Sequence, residues 1–359
     1  MTMTMNEATP GNHARRLPAE WEDSEAVMIA WPHADTDWAY MLAEVTETYV
    51  EIARSIIDSG VTLVVVAPDV SLPKRYLDKY DSPHRPIIYC EIPTNDTWAR
   101  DFGPITVEVD GVGKLPLDFT FNGWGMKFAA DKDNLITSAA ADMGIFSNRP
   151  ECRRMVVLEG GSIESDGKGT IMTTSECLLS PNRNPWMAKE NLERYLLDAF
   201  GADRMLWIDH GYLAGDDTDS HIDTLARLAP DDTIVYVTAP DDESDEHYAA
   251  LKRMEEQLKT LRTADGMPYN LVGLPMADAR YDEDGDRLPA TYANYLVVND
   301  TILMPSYRSP RKDLLAAQMM QVAYPGHKVV QIDCSPLIKQ HGSLHCVTMQ
   351  LPRGTLAVI

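Results

Sequence analysis

Apolar positions along the chain fall into short blocks whose period alternates between that of a strand and that of a helix. Residues 26–31 form an unbroken apolar run ended by Pro32, which reads as a buried strand. Across residues 37–59, Leu42, Val45, Tyr49, Ile52 and Ile56 recur at helical spacing, and Gly60 supplies a stop. Two more strands are expected at 61–67 and 87–92. A hairpin follows at 105–109 and 115–119 around Asp110-Gly111-Val112-Gly113, then a helix at 131–142 and a strand at 155–158.

The order then starts again. A hairpin turning at 165–169 leads to a helix at 185–200 and a strand at 204–208. A hairpin turning at 230–232 leads to a helix at 243–261 and a strand at 269–274. A final hairpin turning at Asn299-Asp300 leads to a helix at 310–323 and a strand at 328–332. No sequence motif repeats between rounds, so the repeat is structural, a strand-strand-helix-strand module of roughly sixty residues. The first strand lacks a partner, and an extended run at 346–351 can supply one, which predicts a ring of five modules. An open doubly wound sheet fits less well because hairpins replace strict alternation of strand and helix. Residues 1–18 read as a flexible arm, and 19–359 as one catalytic domain.

Each module opens on a polar cluster: Trp98 to Asp101, Glu159 to Ser162, Asp217 to Asp223, Tyr292 to Asn294, and Ser343 to Cys346. Convergent entrances would gather Asp101, Glu159, His221, Asp223 and Cys346 at one centre. His221 and Asp223 are two apart, so an extended strand would turn both to one face. An imidazole beside a carboxylate, facing a thiol, supplies a nucleophile with a proton shuttle. Cys346 itself is expected where a loop enters a strand, with Gly342 allowing the bend before it.

Composition sharpens the choice of partner. The 359 residues hold 32 basic and 55 acidic side chains, a formal charge of -23, which argues against nucleic acid and anionic membranes. Several carboxylates gathered at one centre need a balancing cation. A guanidinium suits them, being planar, permanently charged and able to donate in pairs to Asp101 and Asp223 while its carbon faces Cys346. The five cysteines, at 90, 152, 177, 334 and 346, form no CxxC pair. Neither a disulfide framework nor a zinc site is expected from them. No apolar stretch approaches the ~20 residues of a membrane span, and residues 1–20 lack a leader-like apolar run, so a cytoplasmic protein is expected.

Five motifs in order, Trp98-x-x-Asp101-Phe102-Gly103-Pro104, Glu159-Gly160-Gly161, Gly215 through Asp223, Tyr292-Ala293-Asn294 and Gly342 through Cys346, resemble the agmatine deiminase family, also called Porphyromonas-type peptidylarginine deiminases. The resemblance runs from Leu17 to the end. It implies a pentein, or five-bladed α/β-propeller, with Cys346 as nucleophile, His221 as general acid and base, Asp101 and Asp223 as guanidinium ligands, and Glu159 supporting His221 and the substrate. Trp98 would wall the alkyl chain, Asp217 would take the distal amine, and Asn294 joins the substrate-binding set. The family implies no metal and no organic cofactor, with agmatine as substrate. Arginine or peptidylarginine deimination, amidinotransfer and non-catalytic guanidine binding remain as alternatives. Two departures, Ser220 in place of glycine and Ser343-Leu344 in place of Asn-Ile, bear on the substrate tail. A homo-oligomer is compatible with the sequence.

Overall fold

The computed structural model describes residues 14–84 and 86–357. The apolar run at 26–31 forms the strand Ser24–Ala30, which pairs in parallel with Thr62–Ala67, and that strand in turn with Ile87–Glu91. Between the first two runs the helix Leu42–Asp58, led by a 3-10 turn at Ala39–Met41, lays Val45, Tyr49, Ile52 and Ile56 onto the sheet with no exposed surface. Helical spacing in the sequence therefore became a buried stripe.

One pairing scheme recurs in five sheets: an antiparallel hairpin, then a strand parallel to its second arm. Ile105–Val109 pairs with Gly113–Thr120, which pairs in parallel with Glu151–Val157. The same relation joins Ile163–Ser165, Thr170–Thr174 and Arg204–Ile208. It joins Ala226–Ala229, Thr233–Val237 and Asn270–Leu274, and again Leu296–Val298, Thr301–Ser306 and Lys328–Asp333. In the fifth sheet the antiparallel partner of Ser24–Ala30 comes from the far end of the chain, Met349–Pro352, with Met349 opposite Met28 and Leu351 opposite Ala26. A small separate ribbon pairs Arg280–Tyr281 with Arg287–Leu288. Among the described residues, no helix is long and apolar enough to cross a membrane.

Three expectations need correction. The closing strand begins at Met349, and residues 344–347 form a turn instead. The amides of His345 and Cys346 both donate to the side-chain oxygen of Asn294, so a side chain takes the donors that a strand partner would otherwise receive. The flexible arm expected over 1–18 is contradicted in its last residues: Arg15–Arg16 pairs antiparallel with Glu108 and Val109, and the Arg16 guanidinium bridges Glu22 and Glu108. The rest of that arm, 1–13, lies outside the described residues. The helix expected over 185–200 begins at Lys189: residues 185–187 form a separate turn, with the Met187 amide on the Asn184 carbonyl at 3.0 Å, and Ala188 is extended at ψ 153°.

Leu351 is fully buried in the strand that joins the two ends of the chain. Leu351→Ala is expected to destabilise the protein by about 2–4 kcal/mol, the usual range for truncating a buried leucine. Chemical denaturation followed by tryptophan fluorescence measures this; a loss below about 0.5 kcal/mol would mean that the closing strand is not part of the cooperative core.

Candidate active site

Asp101 sits in a short helical turn, Ala99–Phe102, and is buried. Its Oδ1 accepts the Gly161 amide at 3.0 Å and its Oδ2 accepts the Trp124 indole N–H at 2.9 Å. Two donors from different modules thus fix the carboxylate. Gly161 is glycine for a steric reason: a Cβ there would lie 2.7 Å from His221 Nδ1, 2.9 Å from Asp101 Oδ1 and 2.9 Å from Asp223 Oδ2. Three of the groups expected from the sequence therefore surround one glycine. Trp124 adopts a left-handed conformation, φ 54°, between Gly123 and Gly125. A bulky residue there costs about 1–3 kcal/mol, and here the strain aims an indole at a buried carboxylate.

His221 and Asp223 do not lie on an extended strand. They bracket the start of the 3-10 turn Ile222–Thr224, and the His221 amide is tied to Thr218 Oγ1 at 3.0 Å. The sharp turn, rather than a two-residue strand period, brings both side chains to the same centre. His221 Nδ1 lies 3.7 Å from Asp101 Oδ1, and neither ring nitrogen has a hydrogen-bond partner. Burial alone would lower its pKa, but the Asp101 carboxylate and the Cys177 sulfur outweigh that and hold it at about 10. The ring is therefore a cation at neutral pH.

Glu159 is fully buried, and both of its oxygens accept from Arg183 Nε at 3.0 Å. It stands near His221 with Cys177, ligand atoms of the three lying within 4.8 Å of one another. A metal held by these three would have to compete with the Arg183 guanidinium for Glu159. Neither Arg183 nor Cys177 carries a sequence signal, because isolated residues in a loop and a four-residue helix form no pattern.

Cys346 is buried in the turn before the closing strand, its thiol 3.4 Å from Asn294 Oδ1. Burial, then the nearby Asp223 and Asp101 carboxylates, push the thiol well above its usual pKa. Asp223 receives His345 Nδ1–H on Oδ2 at 2.7 Å; burial alone would raise its pKa, but this bond together with the nearby His345, His221 and Arg227 keeps it below the usual carboxylate range. Asp223 Oδ1 and Asn294 Nδ2 are buried without partners. Asp101, held up to about 6 mainly by burial, remains largely ionised at neutral pH.

Asp101 and Cys346 line one pocket of about 130 Å³. Trp98 and Trp124 wall it, and Asp37, Asp96 and Asp217 add carboxylates to its lining. No lysine or arginine is among its lining residues. Burial raises Asp96 to about 7 and also raises Asp217. Gly342, expected as a bend, serves packing instead, since a Cβ there would lie 2.1 Å from the Trp98 ring and only glycine permits the close approach. His221, Asp223, Glu159 and Asn294 are absent from the pocket lining and pack behind it. Arg100 points away, toward Glu20 at 3.7 Å.

The model of the Porphyromonas-type peptidyl-arginine deiminase family matches residues 16–352. A protein of Legionella pneumophila, provisionally named an agmatine deiminase, is 33% identical over 98% of this chain and 99% of its own. A solved structure from Porphyromonas gingivalis, provisionally named an arginine deiminase, is 49% identical with a TM-score of 0.89, covering 96% of this chain and all of that one. C. jejuni agmatine deiminase, solved with substrate bound, is 33% identical with a TM-score of 0.85, covering 98% of both chains. The α/β fold is thus shared along nearly the whole length, and the chain belongs to the Porphyromonas-type peptidyl-arginine deiminase family.

Proposed function

We propose that this protein hydrolyses the guanidinium of agmatine to N-carbamoylputrescine and ammonia through a covalent adduct on Cys346. The observation that carries the reading is a pocket holding a buried thiol with four carboxylates, Asp37, Asp96, Asp101 and Asp217, and a single basic side chain in its lining, His341, which faces Asp217 at 3.9 Å. Such a pocket attracts a cation at both ends, as agmatine is, and offers no lysine or arginine to the carboxylate of free arginine. The P. gingivalis neighbour's name favours free arginine as a second reading. The lack of a lysine or arginine along the pocket speaks for agmatine, as do the names of the L. pneumophila and C. jejuni relatives.

In this reading Asp101 and Asp223 accept the guanidinium N–H groups, and the cation stabilises the thiolate as the thiol proton leaves to solvent. The sulfur attacks the guanidinium carbon. His221, already protonated, gives its proton to one nitrogen, the C–N bond breaks and ammonia departs, leaving a thiouronium on Cys346. Neutral His221 then takes a proton from water as the hydroxide adds to the carbon. The C–S bond breaks, thiolate returns, and the ureido product leaves after losing a proton. Glu159 steadies His221 from behind, Asn294 orients the Cys346 turn, Trp98 flanks the alkyl chain and Asp217 takes the distal amine.

On the same view the five similar sheets are blades of a propeller around this pocket, in one catalytic domain over 19–359. The antiparallel pairing of Met349–Pro352 with Ser24–Ala30 supports that closure. A cytoplasmic setting suits a chain whose cysteines are free, with Cys90, Cys177, Cys334 and Cys346 buried among the described residues.

Cys346→Ser is expected to lower kcat on agmatine by at least about a thousandfold while agmatine still raises the melting temperature, as mass action requires of a ligand that binds only the folded state. Retained turnover would remove Cys346 as nucleophile. The pH profile of kcat/KM should be a bell. Activity rises with pH as the Cys346 thiol gives up its proton on binding, falls off more steeply below about 6 where Asp101 also protonates, and declines above about 10 as His221 loses the proton it donates. An acid limb near ~4, the ordinary aspartate value, would contradict the assignment of Asp101. Ureido-product assays should give agmatine the highest kcat/KM against free arginine and a blocked arginyl peptide, with Asp217→Asn narrowing the gap; faster turnover of either arginine substrate would overturn the choice.

A further inference from the structure

Among buried charged groups the mechanism leaves unused, Glu20 stands out by its reach. It belongs to the N-terminal segment, and its side chain is 9% exposed. Its Oε1 accepts the Val297 amide at 2.8 Å, and its Oε2 lies 2.7 Å from His345 Nε2 and accepts Arg227 Nη2 at 3.0 Å. Arg227 is itself held by Glu164 and by the carbonyls of Ala293 and Tyr295, so Glu20 meets a fixed partner. The opposite nitrogen of His345, Nδ1, lies 2.7 Å from Asp223 Oδ2. A line of three side chains, carboxylate, imidazole, carboxylate, thus runs from the N-terminal segment to Asp223. A separate small cavity of about 60 Å³ borders it, lined by Glu20, Arg100, Glu164 and His345 and not by Cys346 or Asp101.

We infer that Glu20 and His345 are positioning residues for Asp223, a role that rests on the deiminase reading above. Arg227 Nη2, held by Glu20, donates to His345 Nε2 at 3.1 Å, which leaves the ring proton on Nδ1 for Asp223 Oδ2, and the contacts at both nitrogens fix the ring plane. That bond sets the carboxylate's rotation, so its unpartnered Oδ1 keeps one direction. A guanidinium clamped by Asp223 is sensitive to this, since an error of about 1 Å in placing a reacting group costs on the order of a hundredfold in rate. The N-terminal segment thereby contributes to a site whose other groups lie far along the chain.

The test uses the full-length enzyme. Glu20→Gln, verified as folded by circular dichroism and thermal melting, should lower kcat/KM for agmatine by at least about tenfold, mainly through KM. His345→Asn keeps a donor toward Asp223 but cannot reach Glu20, so adding Glu20→Gln to it should change KM no further, a coupling that loss of folding would not produce. Wild-type KM in folded Glu20→Gln, or an equal effect in the His345→Asn background, overturns the inference. If Glu20→Gln does not fold, His345→Gln replaces it. That variant reaches Glu20 and lacks the Nδ1 donor, and it should raise KM well above His345→Asn; equal values overturn the inference.

Nitrogen-15 histidine NMR separates this result from failure of the deiminase reading, because it needs no turnover. The His345 Nδ1–H signal should be present in the wild type and shifted or lost in Glu20→Gln, and an unchanged spectrum again overturns the role. A wild type inert toward agmatine, with the NMR result upheld, would sink the substrate reading alone.

Discussion

Much of this molecule follows from one electrostatic constraint: several carboxylates are buried beside a thiol. Asp101 and Asp223 approach the same glycine within a methyl's reach, and Cys346 shares the pocket with Asp101. Left alone, such a group would protonate, since removing a carboxylate from water costs several kcal/mol. The fold meets this by giving each carboxylate its own donors: Gly161 and Trp124 for Asp101, His345 for Asp223, Arg183 for Glu159. Enough negative charge survives to hold His221 as a cation and to keep the thiol protonated until another cation arrives.

This arrangement separates binding from reactivity. A neutral, buried thiol is inert toward most electrophiles, because the thiolate is the nucleophile. In the proposed reaction a guanidinium entering between the carboxylates would balance their charge and favour the thiolate, so that the substrate switches on the group that attacks it. Asp37, Asp96 and Asp217 in the pocket lining would extend the same preference along the substrate. Trp98, packed against Gly342, would then wall a methylene chain between two charged ends.

The sequence made the repeat legible because its modules obey strong local rules, such as the apolar run at 26–31 and the helical stripe from Leu42 to Ile56. It also made the polar entrances legible, since Asp101, His221 and Cys346 sit in stretches too polar or too turn-rich for core elements. What stayed hidden depends on long-range contacts. Nothing local to Glu20 or Arg183 announces that one will reach His345 and the other Glu159. The 3-10 turn after His221 differs from the expected strand because Thr218 and Thr224 tie the backbone through their hydroxyls, a choice that periodicity does not register. Trp124 between two glycines was a usable signal, since a glycine on each side marks backbone in an unusual conformation.

The central claim is that the sulfur of Cys346 bonds to the guanidinium carbon during turnover. Rapid acid quench of enzyme mixed with agmatine, followed by mass spectrometry of the peptide containing Cys346, tests it directly. The account predicts a transient mass increase equal to agmatine less ammonia on that peptide, decaying as ureido product appears. Product formation within one turnover while the peptide stays unmodified at every quench time would contradict it.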